Sequence, residues 1–239
     1  LGQAIHQSSE VAYNSLVVVD ENTIVLAYTG PNTDGYIKTF TVSANGADIT
    51  QVSAVEHAGS QGRYNSLIKM DGDTYLLAFA SPGDDGVLKT FTIPDDGSSI
   101  TTAASLEHNT SHGIWNSVVQ VDYNTYALAY YGYDTNDEYG LIQTFTIPLD
   151  GSTITEVASQ KFATTANYGT YNSFIKLNSD EYALAYRGDG DDGYVKTFTI
   201  SADGETITEL WSLEHDQERA HWNELIQIDK NTLALAYTD

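Results

Sequence analysis

Hydrophobic and polar residues alternate over short stretches along most of the chain, and the segment 64–114 shows the pattern most clearly. Within 64–70, Tyr64, Ser66, Ile68 and Met70 fall on one face, and this period of two predicts a β-strand. Turn sequences end each stretch, among them Asp96-Gly97, a strong hairpin signal. The pattern predicts four strands here, at 64–70, 74–79, 87–93 and, more polar, 99–106.

The same segment recurs through the chain, beginning each time with an aromatic residue followed by Asn. The repeats start at residues 13, 64, 115, 171 and 222, which lie 51, 51, 56 and 51 residues apart. A fixed period of this length is typical of repeat architectures, and four short antiparallel strands per repeat describe a propeller blade. We therefore predict an all-β protein: a five-bladed β-propeller of four-stranded antiparallel blades, with residues 1–239 as a single domain.

The two ends of the chain are predicted to share the fifth blade. His6 lies seven residues before Tyr13, as His57, His108 and His215 lie seven before the aromatic starts at 64, 115 and 222. Residues 1–6 are therefore in phase with a fourth strand, and we expect them to pair with the second strand at 232–237. The alternative is that a strand fills the gap by strand addition, either from another chain or from residues of this protein outside the given sequence. Addition from another copy would give self-association through the incomplete fifth blade.

The second strand of each repeat has a small face and a bulky face, which suits packing between stacked sheets. The bulky positions predict the core between blades. These residues are Leu26, Tyr28, Leu77, Phe79, Leu128, Tyr130, Leu184, Tyr186, Leu235 and Tyr237.

The repeat length and the aromatic-Asn step at the innermost strand resemble the five-bladed lectin propellers of the tachylectin type. The resemblance covers the whole chain and implies a carbohydrate-binding protein. It transfers no individual binding residue.

Composition narrows the classes of partner. The formal charge of −23 comes from 33 acidic and 10 basic residues, which argues against nucleic acid and against an anionic membrane surface. No apolar run approaches the ~20 residues of a membrane span, and the chain has no cysteine. Its first residue is Leu1, which we interpret as the start of a mature or excised product. We expect a secreted or cell-surface protein that functions in adhesion.

The aromatic-Asn step is the first candidate site, because aromatic faces stack on sugars and the Asn amide offers both a donor and an acceptor. The alternative is structural, with the aromatic ring packed between blades and Asn bonded to the incoming loop. The predicted ligand-binding residues are Tyr13, Asn14, Tyr64, Asn65, Trp115, Asn116, Tyr171, Asn172, Trp222 and Asn223.

Acidic loops between the second and third strands are the second candidate site. Carboxylates alternate on tight turns there, as Ca²⁺ ligands do, although no copy holds a full EF-hand pattern. Solvated Asp-Gly turns are the alternative. Ca²⁺ is the one cofactor the loops indicate, and the predicted metal residues are Asp134, Asn136, Asp137, Asp189, Asp191 and Asp192.

The remaining candidate residues, histidines and carboxylates, indicate structural roles rather than metal binding or catalysis. Glu-His steps recur where fourth strands end, too far apart to share one Zn²⁺, so only local pairs such as His108 with His112 remain. Carboxylates occur in every copy without the asymmetry that a glycosidase pair needs, so we expect no enzyme. The sequence thus predicts an extracellular, carbohydrate-binding propeller with repeated shallow sites. The alternative is a structural or protein–protein interaction module of a larger assembly.

Overall fold

The computed structural model describes residues 2–134, 137–165 and 168–239. These residues form eighteen β-strands and two 3₁₀ turns, at Pro31–Thr33 and Asp189–Asp191, with no α-helix among them. The prediction of an all-β chain is confirmed. The chain divides into two compact units, residues 1–108 with 148–154, and residues 109–147 with 155–239. The prediction of a single domain stays a prediction.

The first unit contains two four-stranded antiparallel sheets, each in sequential strand order. The first sheet consists of β1 (Ala12–Val18), β2 (Thr23–Thr29), β3 (Gly35–Val42) and β4 (Ile49–Ala58). The second consists of β5 (Arg63–Asp71), β6 (Thr74–Ala80), β7 (Gly86–Thr92) and β8 (Thr101–Asn109), whose last residue falls in the second unit.

The second unit contains two further four-stranded sheets and one two-stranded sheet. The third sheet consists of β9 (Gly113–Asp122), β10 (Thr125–Asp134), β11 (Asp137–Thr146) and β12 (Thr155–Ala163). The fourth consists of β13 (Thr170–Lys176), β14 (Glu181–Arg187), β15 (Gly193–Ile200) and β16 (Ile207–Asp216). The fifth pairs β17 (His221–Asp229) with β18 (Thr232–Thr238).

The core lies between neighbouring sheets and is built on their second strands. Eight of the ten predicted core residues are buried, with β6 and most of β10 buried along both faces. Leu235 is only half-buried and Tyr237 is 39% exposed, so these two predictions were wrong. The reason is that β18 pairs only with β17 and has no third strand to cover it.

A threonine of the third strand ties its sheet to the next one in three cases, on β3, β7 and β11. The Thr39 hydroxyl donates to the carbonyl of Gly97, 2.7 Å away, and Thr90 donates to Gly151 over the same distance. Thr144 and Gly204 repeat the bond at 2.7 Å in the second unit. These glycines lie in left-handed turns, and a Cβ on Gly97 would stand 3.0 Å from the Thr39 Cβ. We call this repeated bond the turn contact.

The third copy differs from its prediction, because Gly132–Asp134 and Asp137–Gly140 belong to paired strands where a loop was expected. β10 and β11 extend to Asp134 and Asp137, and Tyr133 pairs with Glu138. Tyr131, Tyr133 and Tyr139 supply aromatic residues at alternating positions, a composition that favours strands.

The predicted closure by residues 1–6 does not form as a strand. Gly2–Val11 contains no strand, and the fifth sheet has two strands, so the structure has eighteen strands where nineteen were expected. The phase of His6 was nevertheless right. Its ring packs 4.9 Å from Tyr28 and its carbonyl accepts a bond from Lys38, as His57 does with Phe79 and Lys89. Polar residues 7–10 follow immediately and favour no ladder.

Truncating a fully buried second-strand leucine tests this core. Leu128→Ala should lower the free energy of unfolding by ~2–5 kcal/mol, because the transfer and cavity terms add. Leu210 is 51% exposed, so Leu210→Ala should change it by no more than about 0.5 kcal/mol. Urea unfolding of both variants measures the difference, and equal losses would contradict the assigned burial.

Candidate functional site

Every repeat begins with an aromatic residue held in the left-handed backbone region. The φ angles are 52° at Tyr13, 55° at Tyr64, 58° at Trp115, 55° at Tyr171 and 54° at Trp222. In each copy the pairing of the first strand with the second shifts register at this point. Bulky residues rarely adopt positive φ, and a bulge of this kind re-aims its side chain. The conformation recurs in all five copies, so it belongs to the repeat.

The asparagine after the aromatic residue bonds neighbouring sheets together in three of the copies. The Asn172 amide donates to the carbonyls of Trp115, at 3.0 Å, and Gly169, at 3.1 Å. Asn65 bonds Tyr13 and Gly62 in the same way, and Asn223 bonds Tyr171 and Ala220. Asn116 donates to Gly113 at 2.8 Å. Asn14 is exposed and its side chain makes no hydrogen bond within the described part of the chain.

The serine of the step supplies a second bond between neighbouring first strands. Ser15 accepts the Leu67 N–H, Ser117 accepts that of Phe174 and Ser173 accepts that of Leu225, each at 2.9 Å. We call the Asn and Ser bonds together the first-strand stitch. Since the Asn amides are engaged with backbone carbonyls, the geometry gives the structural alternative a physical basis. A role of these asparagines in ligand binding stays a prediction.

In the second unit the aromatic side chains of three successive sheets contact one another. The Trp115 and Tyr171 ring centroids lie 3.9 Å apart, and Trp222 lies 5.2 Å from Trp115 and 5.1 Å from Tyr171. Trp222 is 56% exposed. We call Trp115, Tyr171 and Trp222 the aromatic platform. It presents ring surface to solvent from a backbone that fixes the ring positions.

Charged and polar groups border the aromatic platform. The His221 ring stacks on Tyr171 at 4.6 Å and 17°, and the Arg187 guanidinium lies 5.9 Å from the Tyr171 ring. Arg187 also bonds the Asp191 carboxylate through two nitrogens, and the Asp191 carbonyl accepts the Ala220 N–H at 3.1 Å. Burial, followed by the nearby arginines, lowers the pKa of His221, so its imidazole is neutral near pH 7. The rim therefore combines an arginine, a carboxylate and a neutral imidazole.

The first unit holds a smaller version of the same arrangement. Tyr13 and Tyr64 lie 4.3 Å apart, and Arg63 lies 5.8 Å from the Tyr64 ring. Arg63 bonds Asp84 at 2.6 Å, and Asp84 has the positive φ that Asp191 shows at the same loop position. In both units, therefore, an arginine bonds a carboxylate of an acidic loop and also lies near the aromatic ring that begins a repeat. Sequence reasoning missed Arg63 and Arg187, and it considered His221 only as a possible local pair with His215, not as a neighbour of the aromatic step. The signal was an arginine beside an aromatic start or at the end of a second strand, in a chain with only ten basic residues.

Several carboxylates of the acidic loops already bond to basic side chains or backbone N–H groups of the protein, which the calcium prediction did not assume. Asp134 forms a 3.0 Å ion pair with Lys161, Asp191 is held by Arg187, and the Asp137 carboxylate accepts the Glu138 N–H. Burial and neighbouring carboxylates raise the pKa of Asp192. Asn136 lies outside the described residues. Among the residues described, no group of three or more histidines and carboxylates is arranged to hold a metal. Calcium binding stays a prediction.

The repeated histidines are packing residues. His57 and His108 are buried, and burial lowers the pKa of both to about 3, so neither is charged at neutral pH. His57 packs on Phe79 and against Gly35, where a Cβ would lie 2.3 Å from the imidazole ring. In the third copy Phe162 takes this position, packing on Tyr186 and against Gly140. A phenylalanine thus performs the same task without a titratable group.

Comparison with known proteins defines the fold. No family model matches the chain, and no curated protein matches it in sequence. Among solved structures it is similar to a Bacteroides fragilis protein assigned as a 6-phosphogluconolactonase (15% identity, TM-score 0.61, 84% of this chain and 55% of that one). It is also similar to the NanB sialidase from Streptococcus pneumoniae (14%, 0.62, 85% and 32%). A third is the Nup133 β-propeller domain of Vanderwaltozyma polyspora (9%, 0.58, 93% and 67%).

These likenesses, with five antiparallel sheets, place the chain in the β-propeller fold class, as predicted. The chain spans about half the length of the first of these structures. The resemblance to tachylectin-type lectins stays a prediction. The expectation that the chain is not an enzyme is corrected, because structures of this fold include a sialidase. Repeat symmetry in the sequence was therefore a poor argument against catalysis. The described residues include no helix long and apolar enough to cross a membrane.

Replacing the buried His57 with phenylalanine, the residue type that Phe162 supplies at the same position in the third copy, tests the packing role of this histidine. The unfolded-state pKa of His57 is about 6.5. The folded-state pKa is about 3, so the contribution of the neutral ring is present above pH ~6.5 and is lost as the pH falls toward 3. His57→Phe should therefore lose less stability than the wild type between pH 7 and pH 4. Thermal melts across this range measure the slopes. The carboxylates contribute the same pH dependence of stability to both proteins. Identical slopes of melting temperature against pH would therefore contradict the packing role of the neutral His57 ring.

Proposed function

We propose that the protein binds carbohydrate on the aromatic platform. The observation that carries the proposal is the contact of Trp115, Tyr171 and Trp222, three rings fixed at left-handed positions, with Trp222 56% exposed. Backbone strain of this kind persists where the surrounding structure holds it, and it clusters at ligand sites. Rings that are already ordered lose little conformational entropy when a ligand binds.

The rim supplies what a sugar needs beyond an apolar face. Arg187 offers donors and Asp191 offers acceptors, while the His221 ring, whose Nδ1 faces Arg219, extends the ring surface beside Tyr171. Sugar hydroxyls require both kinds of partner, whereas an aliphatic or aromatic ligand would leave the rim unsatisfied. This mixture of ring face and two-way hydrogen bonding favours carbohydrate over a purely apolar ligand.

The net charge of the chain indicates the class of glycan. With a formal charge of −23, the protein repels anionic ligands at long range, even though Arg187 stands locally beside the platform. Neutral glycans escape this repulsion, so they are the expected ligands. The pair Tyr13 and Tyr64 with Arg63 supplies a second, smaller surface of the same chemistry. Two such surfaces would raise the avidity for repeated sugars on a cell surface.

An array of neutral glycans, run with wild type and two tryptophan variants, tests the proposal. Trp222→Ala should weaken binding at least about tenfold, equivalent to ~1.4 kcal/mol, because the largest exposed ring of the platform is lost. Trp211, 52% exposed on β16 and outside the platform, provides the matched control, and Trp211→Ala should leave binding unchanged. Equal effects of the two variants, or no effect of either, would contradict the proposed surface.

The same array run in chelator tests calcium separately, because a metal-dependent site loses binding there. Mass spectrometry of the recovered glycans distinguishes binding from processing, since a processed glycan returns with a changed mass.

A further inference from the structure

The third copy of the repeat replaces an arginine–carboxylate bond with a different set of partners. The position two residues before the glycine of the third strand is acidic in three copies, at Asp84, Glu138 and Asp191. Asp84 bonds Arg63, and Asp191 bonds Arg187. Glu138 instead contacts a tyrosine and a histidine. An arginine fixes its carboxylate as an anion, whereas a carboxylate beside a phenol and an imidazole belongs to a group that can transfer protons.

Glu138 lies between Tyr131, on β10, and His112, which precedes β9. The Tyr131 hydroxyl donates to Oε2 of Glu138, and Nδ1 of His112 lies 3.0 Å from Oε1. Burial, followed by the bond to Glu138, raises the pKa of the Tyr131 phenol above its usual range, so the phenol stays protonated and remains a donor. The side chains of His112 and Glu138 are 32% and 25% exposed, so both can be reached from solvent.

The His112 ring directs one nitrogen toward Glu138 and leaves the other available to a ligand. Nδ1 is buried, while Nε2 is neither buried nor hydrogen-bonded within the described residues. The His112 N–H donates to Asn109 at 3.1 Å, and the ring lies 5.9 Å from that of Tyr131. A carboxylate beside Nδ1 favours the tautomer whose lone pair is on Nε2, and it stabilises the imidazolium formed when Nε2 accepts a proton.

This group of side chains borders the aromatic platform. His112 stands three residues before Trp115 in the chain. Arg187, 5.9 Å from the Tyr171 ring, also lies close enough to Tyr131 for its charge to offset part of the rise in the phenol pKa. All of these residues belong to the second unit. A sugar stacked on the platform is therefore bordered, on the side of the third sheet, by the His112 ring.

The number of available carboxylates decides which bond of a sugar this group can cleave. Glycosidic hydrolysis uses two carboxyl groups that flank one bond. Asp191 is engaged by Arg187. Asp137 precedes Glu138 on β11, and successive side chains of a strand point to opposite faces, so these two do not flank one bond. An acyl ester needs only one general base, because water attacks its carbonyl carbon as a proton is removed.

We propose that His112 is the general base of a site that hydrolyses acyl esters of neutral sugars held on the aromatic platform. Nε2 takes a proton from water while the water oxygen bonds to the ester carbonyl carbon, and a tetrahedral oxyanion forms. As the oxyanion collapses, the bond from that carbon to the sugar oxygen breaks, and the imidazolium gives its proton to the sugar oxygen. Water is the only co-reactant, and the products are a carboxylic acid and the deacylated sugar.

Glu138 and Tyr131 are positioning residues in this reaction. Glu138 holds the imidazole and stabilises its cation, and Tyr131 holds Glu138. The choice of a sugar as the acyl carrier rests on the carbohydrate binding proposed above. The neutrality of that sugar follows from the same net charge of −23.

Partially O-acetylated cello-, xylo- and manno-oligosaccharides and the small ester para-nitrophenyl acetate are the probes. The wild type should release acetate from the oligosaccharides and should hydrolyse the small ester. His112→Ala should lower kcat on both by about a hundredfold or more, the usual contribution of general-base catalysis. Added imidazole should restore part of the oligosaccharide rate of His112→Ala. Glu138→Gln should lower kcat while KM stays unchanged, and His57→Phe, which alters a packing histidine of the first unit, should change neither.

Four results would overturn the proposal or part of it. An undiminished rate in folded His112→Ala would overturn the assigned base. Shortened oligosaccharides in mass spectrometry, rather than loss of acetyl mass, would overturn the choice of the ester bond. Glycan binding on the array without acetate release would overturn the esterase and leave carbohydrate binding standing. Absence of glycan binding, with hydrolysis of the small ester still dependent on His112, would overturn the proposed function and the sugar substrate with it.

Circular dichroism of each variant checks that a lost rate is not a lost fold. His112→Gln, which keeps a polar side chain of similar length, is the second variant if His112→Ala does not fold. Its kcat should fall as that of His112→Ala does, because an amide cannot accept the proton of water as an imidazole can. Full activity of folded His112→Gln would overturn the assigned base in the same way.

Discussion

Hydrogen bonds from side chains across the gap between neighbouring sheets are the interaction on which this structure depends. The backbone hydrogen bonds of the strand ladders hold strands within a sheet and do not join one sheet to the next. Apolar packing joins the sheets but does not fix their register. The first-strand stitch and the turn contact fix it at the inner and outer ends of the sheets. Asn172, Ser173 and Thr144 show the pattern, each bonding backbone of an adjacent sheet.

The candidate site is a consequence of the same constraint. The carbonyl of the aromatic residue in one sheet accepts the Asn amide of the next, and the backbone at that aromatic residue lies in the left-handed region. The turn directs successive rings toward one another, and Trp115, Tyr171 and Trp222 meet as a result. A feature that holds sheets together therefore also constructs a rigid aromatic surface. This link explains why ring and amide recur as one step in the sequence.

The fold was largely predictable because strand alternation and a fixed period are properties of the sequence alone. The second-strand core from Leu26 to Tyr186 followed from that pattern. Tyr237 did not, because within the described residues β18 pairs with β17 alone and its other edge is uncovered. Arg187 was missed, and His221 was not placed at the site, because their position beside Tyr171 depends on contacts that periodicity within one strand cannot reveal. The histidine pattern was seen, but its packing role became clear only when Phe162 was found at the same position.

The central claim is tested most directly by comparing two asparagines of the same repeat position. Asn172 donates to two carbonyls of the described structure, while Asn14 is exposed and its side chain bonds none of the described residues. Asn172→Ala should lower the free energy of unfolding by ~1–3 kcal/mol, the sum of two net hydrogen bonds. Asn14→Ala should change it by no more than about 0.5 kcal/mol. Urea denaturation of both variants gives the answer. Equal changes in the two would contradict the claim that the stitch holds the sheets together.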